Sequence, residues 1–158
     1  MEEGGKAPDV YLVVIDGTPE CRRALRYGAL RAARTGGRLR LVHAIAPQQF
    51  LQWGQIQADM EAEAQEEAER LLDAAAREAE RIAACPVETS IRHGRPSEAV
   101  FAAVREDPAV RALVLAAAAR GRPGPLVEYF AGEKAAALPC IVSIIPGGLS
   151  DEALDRLA

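Results

Sequence analysis

The chain has 158 residues, of which 49% are apolar and 27% are charged, which is typical of one folded domain and excludes a disordered chain. A net charge of −4 and only 4% aromatic residues exclude a protein that grips nucleic-acid phosphates or stacks bases. No apolar run approaches the roughly 20 residues of a membrane span, and residues 1–8 lack a signal-peptide pattern. Three distant cysteines indicate free thiols in a reducing cytoplasm, without disulfides or a zinc site: Cys21, Cys85 and Cys140.

The first half of the chain predicts two strands and two helices. Val10–Ile15 is a nearly continuous apolar run rich in β-branched residues, which is typical of a strand buried on both faces of a parallel sheet. Thr18 and Pro19 predict the N-cap and first position of a helix. The segments that follow are a glycine stop at 36–37, a strand at Arg38–Ile45, a loop around Pro47–Gly54 and a long helix from about Asp59 to Ala84.

The second half predicts three more strands. Apolar and polar residues alternate over Val87–Arg92, which indicates a half-exposed strand at a sheet edge. A helix follows His93–Pro96, and a strand follows it at Arg111–Ala117. The turn Arg120–Pro125 then opens the last main helix, which ends before Pro139, and the final strand is Cys140–Ile145. We expect residues 1–8 to be flexible, residues 9–146 to form the domain, and residues 147–158 to form a tail with a short helix.

Strands that alternate with helices predict an α/β fold, a doubly wound parallel sheet with helices on both faces. In such sheets, ligands bind beyond the carboxyl ends of the strands, where the winding reverses. The residues Asp16, Gly17 and Thr18 after the first strand and the turn Arg120–Pro125 after the fourth would form that site.

Several enzyme motifs are absent from the sequence. Neither a Walker A loop nor a G-x-G-x-x-G fingerprint nor a G-x-S-x-G elbow occurs. Ile15-Asp16-Gly17-Thr18 resembles the Asp-x-Asp-Gly-Thr motif of haloacid dehalogenase phosphatases, but Val14 stands where their nucleophilic aspartate would be. We therefore expect no enzyme, with a slow ATP hydrolase left open.

Short segments along the whole domain resemble the universal stress protein family in their order and spacing. They are Val-Val-Ile-Asp-Gly-Thr at 13–18, Leu-Val-His-Ala-Ile at 41–45, Gly-Arg-Pro-Ser-Glu-Ala at 94–99, Leu-Val-Leu at 113–115 with Arg-Gly-Arg at 120–122, and Leu-Pro-Cys-Ile-Val at 138–142. The resemblance implies a Rossmann-like five-stranded sheet in order 3-2-1-4-5. It also implies a homodimer through the last strand: Ile141, Val142, Ser143, Ile144 and Ile145.

Many members of that family bind ATP, and the resemblance assigns possible binding residues here. Asp16, with Gly17 and Thr18, would face the ribose, and Ala44 and Leu115 would flank the base. The family's phosphate loop reads Gly-x-x-Gly, nine residues, then Gly-Ser/Thr, and its backbone amides hold phosphate oxygens. This loop would comprise Ala116 or Ala118 in place of the first glycine, then Arg120, Gly121, Gly124, Gly132 (one residue late) and Glu133 in place of the hydroxyl.

These departures leave two interpretations open. A partly degenerate pocket would take ATP or AMP, and a mono- or diphosphate is favoured over ATP held by its γ-phosphate, because the Glu133 carboxylate repels phosphate. Alternatively, Gly121 and Gly124 only shape a tight turn, nucleotide binding is lost, and the protein acts through unknown protein partners.

Overall fold

The structure is a computed structural model that describes residues 5–47 and 54–158. Residues 48–53 of the predicted loop and residues 1–4 of the predicted flexible N-terminus lie outside the described residues. The strands are β1 (Val10–Val14), β2 (Arg38–Ile45), β3 (Val87–His93), β4 (Val110–Ala117) and β5 (Ile141–Pro146). The helices are α1 (Cys21–Thr35), α2 (Gly54–Ile82), α3 (Pro96–Glu106), α4 (Pro125–Ala131), a 3-10 helix (Glu133–Ala137) and α5 (Asp151–Leu157).

The strands form one parallel sheet in the order β3-β2-β1-β4-β5. In the centre, Val13 of β1 pairs with Leu41 of β2 on one side and Val114 of β4 on the other. β3 and β5 are the two edges, so the alternating third segment is an edge strand, as predicted. The predicted fold class, with helices on both faces, is confirmed, and the winding reverses between β1 and β4.

Two apolar clusters sandwich the sheet because the side chains of β1 alternate between its faces. Tyr11 and Val13 pack against α1, α2 and α5, whereas Leu12 and Val14 pack against α3 and α4. Burying each of the aliphatic side chains among these, Leu12, Val13 and Val14, contributes about 1.5–3 kcal/mol. These two layers hold the carboxyl ends of β1 and β4 in place. Within the described residues, no helix is long and apolar enough to cross a membrane.

Helix α1 begins at Cys21, two residues later than the sequence predicts. The Asp16 carboxylate accepts hydrogen bonds from the backbone amide of Thr18 at 3.0 Å and from its hydroxyl at 2.6 Å. This Asx turn competes with helix geometry, so Thr18 does not cap α1. The N-cap is Glu20, whose side chain makes no capping hydrogen bond.

The predicted last main helix is interrupted at Gly132. The ψ angle of Gly132 is −134°, which is far from helical, and the chain continues as a 3-10 helix. A Cβ atom at this position would lie 2.9 Å from the carbonyl oxygen of Glu128, so the bend suits glycine alone. Helix α4 is therefore only seven residues long.

The tail crosses the end of the sheet and docks on α1. Its helix is capped by Ser150, whose hydroxyl accepts a hydrogen bond from the amide of Ala153 at 3.1 Å. Arg26 of α1 donates two hydrogen bonds to Asp155, at 2.7 and 3.0 Å. Leu154, only 1% exposed, completes the apolar cluster on this face. The tail thus covers neither the β5 edge nor the face bearing α3 and α4.

Candidate functional site

A cavity of about 530 Å³ opens at the carboxyl ends of β1 and β4, where the winding of the sheet reverses. It lies between the turn that precedes α1, the start of α3 and the start of α4. Its walls are mostly apolar. The lining residues are Val14, Asp16, Thr18, Glu20, Cys21, Arg95, Pro96, Ser97, Leu115, Ala116, Pro123, Gly124, Pro125, Leu126, Val127 and Tyr129.

Asp16 stands at the mouth of the cavity and is exposed. Both hydrogen bonds from Thr18 reach the same oxygen of its carboxylate, Oδ1. Gly17, between them, has a φ angle of +77°, which lets the chain reverse, and it faces Leu71 on the far side of the turn. The turn therefore presents a fixed negative acceptor suited to hydroxyl donors.

Cys21 forms part of the cavity wall at the start of α1. Its Sγ donates a hydrogen bond to the carbonyl oxygen of Val14 at 3.4 Å. Burial raises the pKa of the Cys21 thiol to about 11, and the nearby charges of Asp16 and Glu20 also raise it. The thiol is therefore neutral at physiological pH and is not an activated nucleophile.

The loop between β4 and α4 forms the opposite wall. It is closed by a hydrogen bond from the amide of Ala118 to the carbonyl oxygen of Pro123 at 3.0 Å. Gly124, with a φ angle of +120°, turns the chain into α4, whose first residue is Pro125. Arg122 is held away from the cavity because it donates to both carboxylate oxygens of Glu128, at 2.8 and 3.0 Å.

The sequence did not predict three parts of the wall. One is the start of α3, where Arg95, Pro96 and Ser97 line the cavity. Another is Tyr129 of α4, whose ring packs edge-on against Phe130 with the centroids 4.9 Å apart. The third is Glu20, just before α1. The segment Gly94–Ser97 carries part of the family resemblance and could have signalled the first; nothing local in the sequence marks Tyr129.

Five of the predicted site residues line this cavity: Asp16, Thr18, Leu115, Ala116 and Gly124. Six others do not line it: Gly17, Ala44, Arg120, Gly121, Gly132 and Glu133. Gly132 and Glu133 follow the far end of α4, about 10 Å along the helix from Gly124. The structure thus brings Asp16, Thr18 and Leu115 to one cavity, and leaves Ala44 and the pair Gly132 and Glu133 outside its lining.

Residues 5–47 and 54–158 contain no recognisable metal-binding site. No group of three or more His, Cys, Asp or Glu side chains there is arranged to hold a metal ion. The cavity offers the carboxylates of Asp16 and Glu20, hydroxyl groups, an aromatic ring and aliphatic walls. This combination suits binding of a small organic ligand.

The sheet order and the position of the cavity define the class of doubly wound α/β domains that carry a ligand site at the winding reversal. The family model described as "Universal stress protein family" matches residues 10–128, and the chain belongs to this family. No curated protein sequence matches the chain.

Solved structures share the fold at low sequence identity. Universal stress protein UspA from Lactobacillus plantarum is 18% identical, with a TM-score of 0.70 over 89% of this chain and 99% of its own. An Arabidopsis thaliana universal stress protein family protein with AMP bound is 15% identical, with a TM-score of 0.63 over 92% of this chain and 95% of its own. The universal stress protein from Archaeoglobus fulgidus in complex with dAMP is 17% identical, with a TM-score of 0.63 over 89% and 98%.

Proposed function

We propose that the chain is a universal-stress-type regulatory protein that binds an adenine nucleotide in the cavity between β1 and β4. The observation that supports this proposal most directly is the convergence of Asp16, Thr18, Leu115, Ala116 and Gly124 on one cavity at the winding reversal. Two proteins with the same fold carry AMP and dAMP. Asp16 would accept hydrogen bonds from ribose hydroxyls, and Leu115 would pack against the base.

The pocket is degenerate relative to the family loop. Alanine at 116 and 118 replaces a glycine, and Gly132 and Glu133 lie outside the cavity lining. The proposed role is regulation by binding, because Asp16, Thr18 and Leu115 offer contacts to a ligand and the Cys21 thiol is neutral rather than an activated nucleophile. Slow hydrolysis of ATP stays a separate possibility for assay. The free thiols suit the expected cytoplasmic setting.

The proposal includes a homodimer formed through the edge strand β5. This strand pairs with β4 on one side only. Ile141 is 61% exposed and Ile144 is 39% exposed, which leaves an apolar edge of the kind that proteins usually cover. If the pocket proves empty, this apolar edge favours the second candidate function, which is action through protein partners alone.

The test is nucleotide analysis of protein purified without added nucleotide. The protein is denatured, and the supernatant is separated by ion exchange with detection at 260 nm. Calorimetry with AMP and ATP on wild type, Asp16→Ala and Asp16→Asn follows. We expect a binding heat that Asp16→Ala weakens about 10- to 100-fold, since a hydrogen bond to a charged group is lost.

Asp16→Asn tests whether a loss of binding comes from the missing charge or from a disturbed turn. Its amide oxygen can still accept the hydrogen bonds from Thr18, so the turn should be kept. Asp73→Asn, an exposed change on α2, removes the same charge away from the cavity. We expect Asp16→Asn to weaken binding and Asp73→Asn to leave it unchanged. Absence of both bound nucleotide and binding heat in wild type would refute the proposal and support the partner-only function.

A further inference from the structure

The charges that line the cavity are negative on balance. Asp16 and Glu20 contribute two carboxylates, and Arg95 contributes one guanidinium. Arg95 is itself 3.7 Å from a carboxylate oxygen of Glu98, in a pair whose side chains are 74% and 68% exposed. The lining therefore carries one net negative charge, which opposes a chain of phosphates.

The arginines of the β4–α4 loop do not offset this charge. Arg122 is engaged by both carboxylate oxygens of Glu128, and neither Arg120 nor Arg122 lines the cavity. The charge of Arg122 is thus paired with Glu128 outside the cavity lining.

The carboxylates of Asp16 and Glu20 also affect a buried group in the cavity wall, the thiol of Cys21. The Cys21 thiol, which is 7% exposed, has a raised pKa, first because of burial and then in part because of the charges of Asp16 and Glu20. Aliphatic neighbours such as Val14, Leu115 and Val127 lower the local dielectric, so charge repulsion is stronger here than in water.

Backbone donors for phosphate are also depleted. Helices commonly bind phosphate through the free amides of their first turn. Of the three helices that begin at the cavity, α3 and α4 start with Pro96 and Pro125, and both prolines line it. Proline has no N–H group, so each of these two helices lacks its first donor.

We propose that the cavity takes an adenine nucleoside or its monophosphate and rejects longer phosphate chains, with Glu20 as a specificity-determining residue. This inference rests on the proposed function and specifies its ligand class. Glu20 is suited to this role because it is half-buried at the start of α1 and its side chain makes no capping hydrogen bond. Its charge is therefore free to act on the ligand.

The test is calorimetry with adenosine, AMP, ADP and ATP in magnesium-free buffer, at about 0.05 M and 0.5 M salt. In wild type, each phosphate beyond the first should lower affinity roughly three- to tenfold, an order-of-magnitude Coulomb estimate. In Glu20→Gln, the ratio of AMP to ATP affinity should fall about three- to tenfold while adenosine affinity stays within about twofold. High salt should compress the wild-type ratio, because salt screens charge but not steric exclusion.

Glu63→Gln, on the exposed side of α2, removes the same charge outside the cavity and should leave every affinity unchanged. ATP binding as tight as AMP binding, or an AMP-to-ATP ratio unaffected by Glu20→Gln, would overturn the inference while leaving the proposed function intact. Failure of all four ligands to bind would overturn both.

Discussion

The buried thiol of Cys21 makes stability depend on pH in the alkaline range. Because its pKa is raised to about 11 in the folded protein, against an ordinary value of 9.0, the folded state keeps the proton longer than the unfolded state. Stability from this thiol is complete below pH 9 and is lost as pH rises through 11. Two pKa units correspond to roughly 2–3 kcal/mol in the free energy of unfolding.

Urea unfolding of wild type and Cys21→Ala between pH 8 and 11 measures this loss. We expect the wild-type curve to fall more steeply with pH than that of the variant, which has no thiol to titrate at 21. Cys85 and Cys140, whose pKa values burial also raises, are common to both proteins and cancel in the comparison. Parallel curves would show that Cys21 ionises alike in both states.

Single residues show how far the site could be predicted from sequence. Asp16 was predicted because it follows the first strand at the expected switch point, Leu115 was predicted from the family resemblance, and both line the cavity. Tyr129 was not, because a crossover brings it there from a distant position and no spacing rule connects it to Asp16. Ser97 was not either, although the segment around it carries part of the family resemblance. Glu20 was missed because its position depends on where α1 begins, which the Asx turn decides.

At the scale of elements, strands were predicted better than helix ends. A buried strand such as β1 is visible in the sequence as a run of apolar residues. An edge strand such as β3 is visible as alternating apolar and polar residues. Helix ends depend on local competition that periodicity does not show. Two examples are the Asx turn that delays α1 and the non-helical ψ angle of −134° at Gly132 that ends α4.

Helix α5 is expected to contribute to stability through one buried side chain. Leu154→Ala removes a leucine that is 1% exposed and packed in the apolar cluster, and it should lower the free energy of unfolding by about 2–4 kcal/mol. The matched control is Leu157→Ala on the same helix. Leu157 is 57% exposed, so its loss should cost less than about 0.5 kcal/mol.

Urea denaturation of both variants measures the difference, and equal effects would mean that α5 does not stay docked.

The ion pair between Asp155 of α5 and Arg26 of α1 makes stability depend on pH in the acid range. Hydrogen bonding by Arg26 lowers the pKa of Asp155. The contribution of Asp155 is therefore present above the ordinary carboxyl pKa and is lost as pH falls through the lowered value.

For the whole molecule, the order of the strands followed from the family resemblance rather than from periodicity. Alternating strands and helices predict a doubly wound sheet, yet several orders satisfy that pattern. Matched segments spread from residue 13 to residue 142 selected the order 3-2-1-4-5, which the structure confirms. The assembly of copies could not be decided in this way, because a single chain shows an exposed edge but not what covers it.

The proposed dimer predicts that a charge on the edge strand will separate the subunits. Ile141→Lys places an ammonium group at an apolar position that is 61% exposed, so the monomer should tolerate it while the interface should not. Light scattering after size exclusion should give twice the chain mass for wild type and a single chain mass for the variant.

The control for the dimer is Ile56→Lys, since Ile56 is similarly exposed at 54% but belongs to α2, which packs on β2 and β3 rather than on β5. This variant should retain the mass of a dimer. A wild-type protein of single-chain mass at micromolar concentration would refute the homodimer.

Gly147, at the start of the tail, links two regions whose sequences would otherwise be free to vary separately. A Cβ atom there would collide with the carbonyl oxygen of Ala117 and would lie 3.0 Å from both the amide nitrogen of Ala119 and the Cβ of Glu20. A larger residue could be accommodated only by moving the β4–α4 loop or the tail. Over evolution, the tail and the cavity wall are therefore expected to change together, and relatives with the same tail should keep glycine at this position or carry a different loop.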